Sequence, residues 1–485
     1  MSWHQRSCSL LIFPCFALLC LLTWLLESLL RLGNRSSSAK LPVEVRPVYL
    51  RYKAFEWGVI GAANFLSLGG RREPMTWLLG QPLDLLDISS ERIVFGLLPQ
   101  PLRAYSATRA TFHYVTAFPE FSSVVRVPLA DLLSFTSTMG PLQPQLCVVS
   151  SPGRCGSTLL AKQLQELGGA ERTLVLSESN CLGRLDRFQR QHQDQQLTKV
   201  VMRAVYKVMF NGHGLSHVVI KQRPFSIRMA LLLKQALPAG KVKQIFLERS
   251  DRFAMIASLC SFLGRMGHNR LALFTAQALW QIKKRLISKP LRPQDDFNFN
   301  ILRILAKTKM VTMREEVLDM ANELMLPSFL EFMIGLWADV YCSYREASSE
   351  MGQDSLHLYY EDLVAKPEAE LVRLSEHLGL VDADVPAALG VLGQHSQKDC
   401  AQYLRTHAQR QPLRPTDRQV KRINIFTAAL GLPSINWPEK KADASPGEAK
   451  TEQLDAFLWP LRLLLGSFSS RLNLSVPLPL RASKP

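Results

Sequence analysis

The sequence predicts an α/β protein: a three-layer fold with a central parallel sheet, preceded by an N-terminal transmembrane anchor. Three observations carry this. Short apolar runs rich in β-branched residues alternate with stretches of helical spacing, the pattern of parallel strands joined by crossover helices. One of these runs, Leu146–Val149, feeds a glycine-containing loop and then a helix. Near the start of the chain, Ser7–Leu26 is uncharged and rich in Leu, Phe, Cys and Ile.

The anchor comes first in chain order. A helix over residues 7–26 rises ~1.5 Å per residue and matches a hydrocarbon core of ~30 Å. His4 and Arg6 precede the run, and Glu27, Arg31 and Arg35 follow it, so charge asymmetry is weak. A cleaved signal peptide is the rival reading, but its apolar region is usually shorter, and no small-x-small cleavage site follows this one. The expectation is a short cytoplasmic tail (1–6), a signal-anchor (7–26) and a stem (27–41). Two sequons, Asn34-Arg35-Ser36 and Asn473-Leu474-Ser475, agree with a lumenal body of a single-pass type II glycoprotein.

Residues 42–143 are a mixed stretch with many prolines and aromatics, to which the sequence assigns no role. Beyond it Leu146–Val149, Thr173–Leu176, His217–Ile220, Gln244–Leu247 and Leu356–Tyr359 read as buried strands. Ligands of such sheets lie at the carboxyl ends of the strands. Residues 267–330 read as a helical insertion within a domain spanning 144–438. Residues 439–485 read as a linker and terminal segment, in which Phe457–Leu465 is too short and too interrupted to span a bilayer.

Bulk properties narrow the function. The 485 residues suit one large domain with additions. A hydrophobic content of 47% with 20% charged residues is globular, not disordered. The net charge of +17 favours anionic partners. The basic residues are scattered and no nucleic-acid-binding signature appears, so a nucleotide or an anionic glycan ranks above DNA or RNA. None of the nine cysteines forms a CxxC pair, so no metal is expected. Some of them remain candidates for pairing in an oxidising compartment.

The loop Ser151-Pro152-Gly153-Arg154-Cys155-Gly156-Ser157-Thr158 carries the chemistry. A strand–loop–helix junction points backbone N–H groups and the positive end of a helix at one place. Gly156 permits close approach, Ser157 and Thr158 bring hydroxyl donors, and Arg154 adds a charged one. This is not a Walker A loop, because Ser157 stands where that motif requires Lys. The plain alternative is a strand–turn–helix whose Gly and Ser merely cap the helix.

Pro-x-Arg-x-Gly-Ser-Thr-Leu-Leu after an apolar strand resembles the P-loop-like 5′-phosphosulfate loop of the sulfotransferase superfamily. The likeness is to its Golgi carbohydrate and bacterial trehalose types. Gly153 adds one residue to that loop. A second segment, Gln244–Arg252 leading to Ser258, is similar to the family's 3′-phosphate motif, with Arg249 and Ser258 in the matching places. A third, Tyr359-Tyr360-Glu361-Asp362-Leu363, resembles the family's Tyr-Glu-Asp-Leu segment, whose role is mainly structural. The resemblance implies that 3′-phosphoadenosine 5′-phosphosulfate (PAPS) is the donor, bound by Arg154, Cys155, Gly156, Ser157, Thr158, Arg249 and Ser258. It also implies a hydroxyl acceptor, on a glycan or another molecule of the secretory pathway, and a Golgi location.

Sulfuryl transfer needs a base for the acceptor hydroxyl and a cation for the leaving oxygen. In cytosolic relatives a His follows the strand ending in Lys. Here the stretch is Ile220-Lys221-Gln222-Arg223, and Arg cannot serve as a base. Glu178, just past the second strand, is the expected base, with helix capping or pairing to a cation as the alternative. Lys221 is the expected charge stabiliser, or else an ordinary surface lysine. His213 is a fallback base. Two other function classes remain open: a catalytically inactive, membrane-attached binding protein of the same fold, and a P-loop nucleotide kinase.

Overall fold

The computed structural model describes residues 41–52, 60–264, 329–393 and 415–437, with isolated positions at 18, 19, 22, 314, 316, 317 and 320. The expected anchor, the helical insertion over 267–330 and the segment 439–485 lie outside the described residues, apart from those positions and residues 329–330. No helix among the described residues is long and apolar enough to cross a membrane. The chain divides into two units: Ser9–Ser250 with Val340–Ala408, and Met1–Cys8 with Asp251–Asp339 and Gln409–Pro485.

The first unit contains two sheets. Residues left without a role by the sequence build an antiparallel one: β1 (Val43–Arg51), β2 (Phe65–Ser67), β3 (Arg71–Glu73), β4 (Leu83–Ile88), β5 (Arg92–Leu97) and β6 (Ser123–Pro128). Its order is β2-β1-β6-β5-β4, with β3 also on β1. Side chains of β4 and β5, such as Leu83, Leu85, Ile93 and Phe95, are fully buried. Gly96 lies beneath the Phe121 ring, where a Cβ would overlap that ring.

The second sheet is parallel, as expected. It comprises β7 (Gln145–Ser150), β8 (Thr173–Ser177), β9 (His217–Lys221), β10 (Val242–Glu248) and β11 (Ser355–Tyr359), in the order β11-β10-β7-β9-β8. Every predicted strand is present, extended by one to three residues. The strands read as near-continuous apolar runs because both faces are covered. From β7 the chain crosses to β8 through helix α1 (Ser157–Gly168). It then returns in the opposite direction, to β9 and later β10, through α2 (Cys181–His192), α3 (Gln195–Phe210) and α4 (Met229–Ala236). Crossovers are right-handed, so reversing direction moves the helices to the opposite face. α1 packs with the helices Pro367–Leu378 and Val385–Gly390, while α2, α3 and α4 pack on one another. This gives three layers.

Helix α2 also packs against β4, so the antiparallel sheet is joined to the parallel one through this layer. One apolar cluster runs through both, from Leu85 and Phe95 through Phe188 and Tyr206 to Phe246.

The second unit includes helix α5 (Arg252–Gly264) and helix α6 (Asp417–Ala429). Thr416 and Gln419 form a capping box at the start of α6. Arg422 Nε donates to the buried Glu331 carboxylate at 2.5 Å.

Candidate active site

The reversal of direction occurs at β7: the connection leaving it goes one way, and later strands are added on its other side. A crevice therefore opens at its carboxyl end. The register fixes what meets there. Lys221, the last residue of β9, pairs with Val149 of β7 on one side and Ser177 of β8 on the other. Ser150 of β7 pairs with Phe246 of β10, and Glu248 of β10 pairs with Tyr359 of β11.

The loop after β7 turns tightly. Gly153, Arg154 and Gly156 have φ of +93°, +59° and +82°. For Arg154 the left-handed region carries strain that glycine would avoid. Gly156 is required twice over: by its φ, and because a Cβ there would overlap the Tyr360 ring. Gly153 lies against Pro224, so the extra residue is seated on the segment after β9. Gly156 is the N-cap of α1, and no side chain caps this helix. The first N–H groups of α1 thus lack a side-chain acceptor at the end where the helix dipole is positive. Ser157 and Thr158 open the helix and are buried.

Cys155 plays a different part from its neighbours. Its thiol is fully buried, donates to the Gly153 carbonyl at 3.2 Å, and is pushed far up in pKa, chiefly by burial. That side chain shapes the loop; only its backbone is left for a ligand.

The loop's stem is clamped by residues the sequence did not single out. Ser150 Oγ accepts hydrogen bonds from Gln222 Nε2 and, at 2.5 Å, from Gln244 Nε2. The third motif joins the first two. Tyr360 covers Gly156, and the Arg249 guanidinium lies 5.2 Å from its ring centroid. Glu361 accepts from the Ser250 amide at 3.1 Å and from Ser250 Oγ at 3.0 Å. Arg249 Nε is shielded from solvent and has no hydrogen-bond partner among the described residues. Arg154, Gly156, Ser157, Thr158 and Arg249 therefore share one neighbourhood. Ser258 lies on α5, in the second unit.

Beside the loop, Lys221 Nζ donates to the Glu178 carboxylate, and the Glu178 amide donates to the Lys221 carbonyl at 2.7 Å. The two expected catalytic residues are thus partners. Lys221 is buried, not a surface lysine, and its ammonium lies 5.2 Å from the Phe112 ring centroid. Glu178 has φ +62°, an uncommon conformation for a non-glycine residue.

A buried network backs Glu178 from the antiparallel sheet. Asp84 of β4 is wholly inaccessible and accepts from Ser179 Oγ at 3.1 Å and from Asn180 Nδ2 at 3.5 Å. His113 Nε2 stands 3.3 Å from the same carboxylate, close but misaligned for a hydrogen bond. Sequence reasoning missed Asp84 because nothing local marks it; only the packing of β4 on α2 brings it to residue 179. The fallback base His213 precedes β9, so it lies at the opposite, amino-terminal edge of the sheet.

Among the described residues no group of three or more His, Cys, Asp or Glu is placed to hold a metal ion. The described cysteines Cys147, Cys155, Cys181, Cys260 and Cys342 are buried.

The solved structures similar to this chain include three sulfotransferases or sulfotransferase domains. The sulfotransferase domain from the curacin biosynthetic pathway is 15% identical, with 61% of this chain and 99% of that chain covered and a TM-score of 0.32. The sulfotransferase domain of the Synechococcus PCC 7002 olefin synthase is 15% identical, covering 60% and 96%, with a TM-score of 0.28. A sulfotransferase from Mycobacterium avium is 13% identical, covering 62% and 78%, with a TM-score of 0.30. No protein-family model matches the chain, and no curated protein matches it.

Proposed function

We propose that this chain is a sulfotransferase that takes a sulfuryl group from PAPS and places it on a hydroxyl. One observation carries the reading: a glycine loop on an uncapped helix, Arg249 stacked at its side, and the Glu178–Lys221 pair all meet at one sheet edge. The residues fit the donor's two anionic ends. The loop and the start of α1 suit the 5′-phosphosulfate, and the orphaned Nε of Arg249 suits the 3′-phosphate.

PAPS supplies an activated sulfuryl group whose S–O bond to the nucleotide phosphate breaks as the new S–O bond forms. Glu178 accepts the proton of the acceptor hydroxyl as the oxygen attacks sulfur. Lys221 stands beside the carboxylate and neutralises charge growing on the phosphate oxygen, which keeps the electron pair of the broken bond. Donors of the loop backbone, with Arg154, hold the phosphate in line with the acceptor. The strained φ values of Arg154 and Glu178 fall on the two residues given these tasks.

The apolar run 7–26 and the two sequons support a signal-anchored glycoprotein with a lumenal body in the Golgi membrane. The acceptor would then be a glycan or another secretory-pathway hydroxyl.

The test is calorimetric binding of 3′-phosphoadenosine 5′-phosphate to the full chain and to Arg154→Ala and Arg249→Ala. Wild type should bind, and each variant should weaken binding about 10- to 100-fold, the worth of a charge-assisted hydrogen bond. A folded wild type that binds no nucleotide overturns the reading.

A further inference from the structure

Arg223 follows Lys221 by two residues on the chain leaving β9, and its backbone is extended, with φ −72° and ψ 144°. Alternate residues of an extended chain stand about 7 Å apart on one side. Both cations rest on aromatic rings from one segment: Lys221 Nζ lies 5.2 Å from the Phe112 centroid, and Arg223 Cζ lies 3.8 Å from the Tyr114 centroid. Tyr114 is itself buried, so the platform under the guanidinium is fixed.

The two cations differ in what they hold. Lys221 donates to Glu178. Arg223 Nε and Nη2 are shielded from solvent and meet no acceptor among the described residues. The side chain as a whole stays partly open. A cationic neighbour, Arg184, is pulled down to about 10, chiefly by burial, with the charge of Arg223 contributing. Arg223 therefore adds positive potential instead of balancing a negative group. A purely packing role leaves this unexplained, because Met or Leu would cover Tyr114 without shielding unpaired donors.

We propose that Arg223 is the receptor for an oxyanion, a carboxylate or a sulfate, carried by the acceptor about one sugar ring away from the hydroxyl that Glu178 deprotonates. This rests on the sulfotransferase reading and names the substrate class of the same site. A guanidinium resting on an aromatic ring keeps its N–H donors in its own plane, unpaired here, and these can bind an oxyanion that displaces what shields them. The side chain at this position, unable to act as a base, selects the acceptor instead.

The experiment uses the full chain saturated with 3′-phosphoadenosine 5′-phosphate and three probes: methyl glucuronide, sulfated methyl glucoside and neutral methyl glucoside. Wild type is expected to bind at least one charged probe about 10- to 100-fold more tightly than the neutral one. Comparing the two charged probes tells carboxylate from sulfate. In Arg223→Met the preference should collapse, and Arg223→Lys should restore part of it. With PAPS as donor, the change should appear in KM for the charged probe more than in kcat. Nucleotide binding by each variant reports that it is folded. Equal binding of charged and neutral probes, no binding of any probe, or a preference that survives Arg223→Met overturns the inference while the nucleotide result stands. Loss of nucleotide binding in wild type removes the sulfotransferase reading itself.

Discussion

The two sheets of the first unit distribute strain differently. At the carboxyl edge of the parallel sheet, Arg154 and Glu178 both hold a left-handed backbone. Between residues 43 and 128 no described non-glycine residue does so. The antiparallel sheet instead supplies buried support: Asp84 behind residues 179 and 180, while the segment between β5 and β6 places Phe112 and Tyr114 under the two cations. The proposed chemistry sits on loops of one sheet, and parts that hold those loops come from the other region.

The sharpest way to break that division is to touch the edge itself. Glu178→Gln keeps the shape but cannot take a proton. Turnover should fall about 10²- to 10⁴-fold, the usual worth of a general base, while nucleotide affinity stays near wild type. Lys221→Met should also cut turnover severely. If Glu178→Gln keeps full turnover, the base lies elsewhere and the strain at Glu178 needs another explanation.

The next effect concerns the loop. In Gly156→Ala the new Cβ would overlap the Tyr360 ring, in a backbone conformation alanine resists. Moving Tyr360 also disturbs the ring beneath Arg249. Nucleotide binding should weaken at least about tenfold, with about 2 kcal/mol lost from stability. Undiminished binding would show that the loop is not the nucleotide cradle.

Two substitutions in the antiparallel sheet sharpen the comparison further. Asp84→Ala leaves Ser179, Asn180 and His113 facing a cavity; stability should fall by about 2 kcal/mol and turnover about tenfold, because the Glu178 loop loses its backing. Gly96 is the cross-strand partner of Asp84 but carries no polar group; Gly96→Ala pushes on Phe121 and should cost about 1–3 kcal/mol in stability, with a smaller effect on turnover than Asp84→Ala. Thermal melts with kcat per folded molecule separate the two. If Asp84→Ala costs stability without turnover, the antiparallel sheet is a scaffold and no more.

This difference also explains what the sequence made legible. The parallel strands are continuous apolar runs, and the loop after β7 is a short motif whose residue types each answer to phosphate chemistry. Neither signal exists in β1, where Arg46 is buried through a pair with Glu44 and Pro47 sits inside the strand. Proline in a run argues against a strand, and a buried arginine hides the alternation. The pairing of Glu178 with Lys221 could be read only as two separate candidates, because their register depends on β8 and β9 being neighbours. The role of Tyr360 depends likewise on a contact across about two hundred residues of chain.

The smallest expected effect comes from protons. His213, His217, His357 and His377 all sit among the strands and helices of the parallel sheet, and burial is the leading cause that lowers the pKa of each. His217 Nε2 bonds the Leu378 carbonyl at 3.2 Å, and His357 stacks on Phe246 with rings 5.2 Å apart. A histidine whose folded pKa is depressed binds fewer protons in the fold than in the unfolded chain. Stability from these groups is therefore complete above about pH 6.5, the unfolded value, and is lost as pH falls through the window below it. Because the rings are only partly buried, the melting temperature should drop by only a few degrees between about pH 7.5 and pH 5.5. Replacing His217 and His377 by Gln should flatten that slope, while Gly96→Ala should leave its shape unchanged and shift the whole curve down. A slope that persists in the His217 and His377 double variant would place the acid-sensitive element elsewhere.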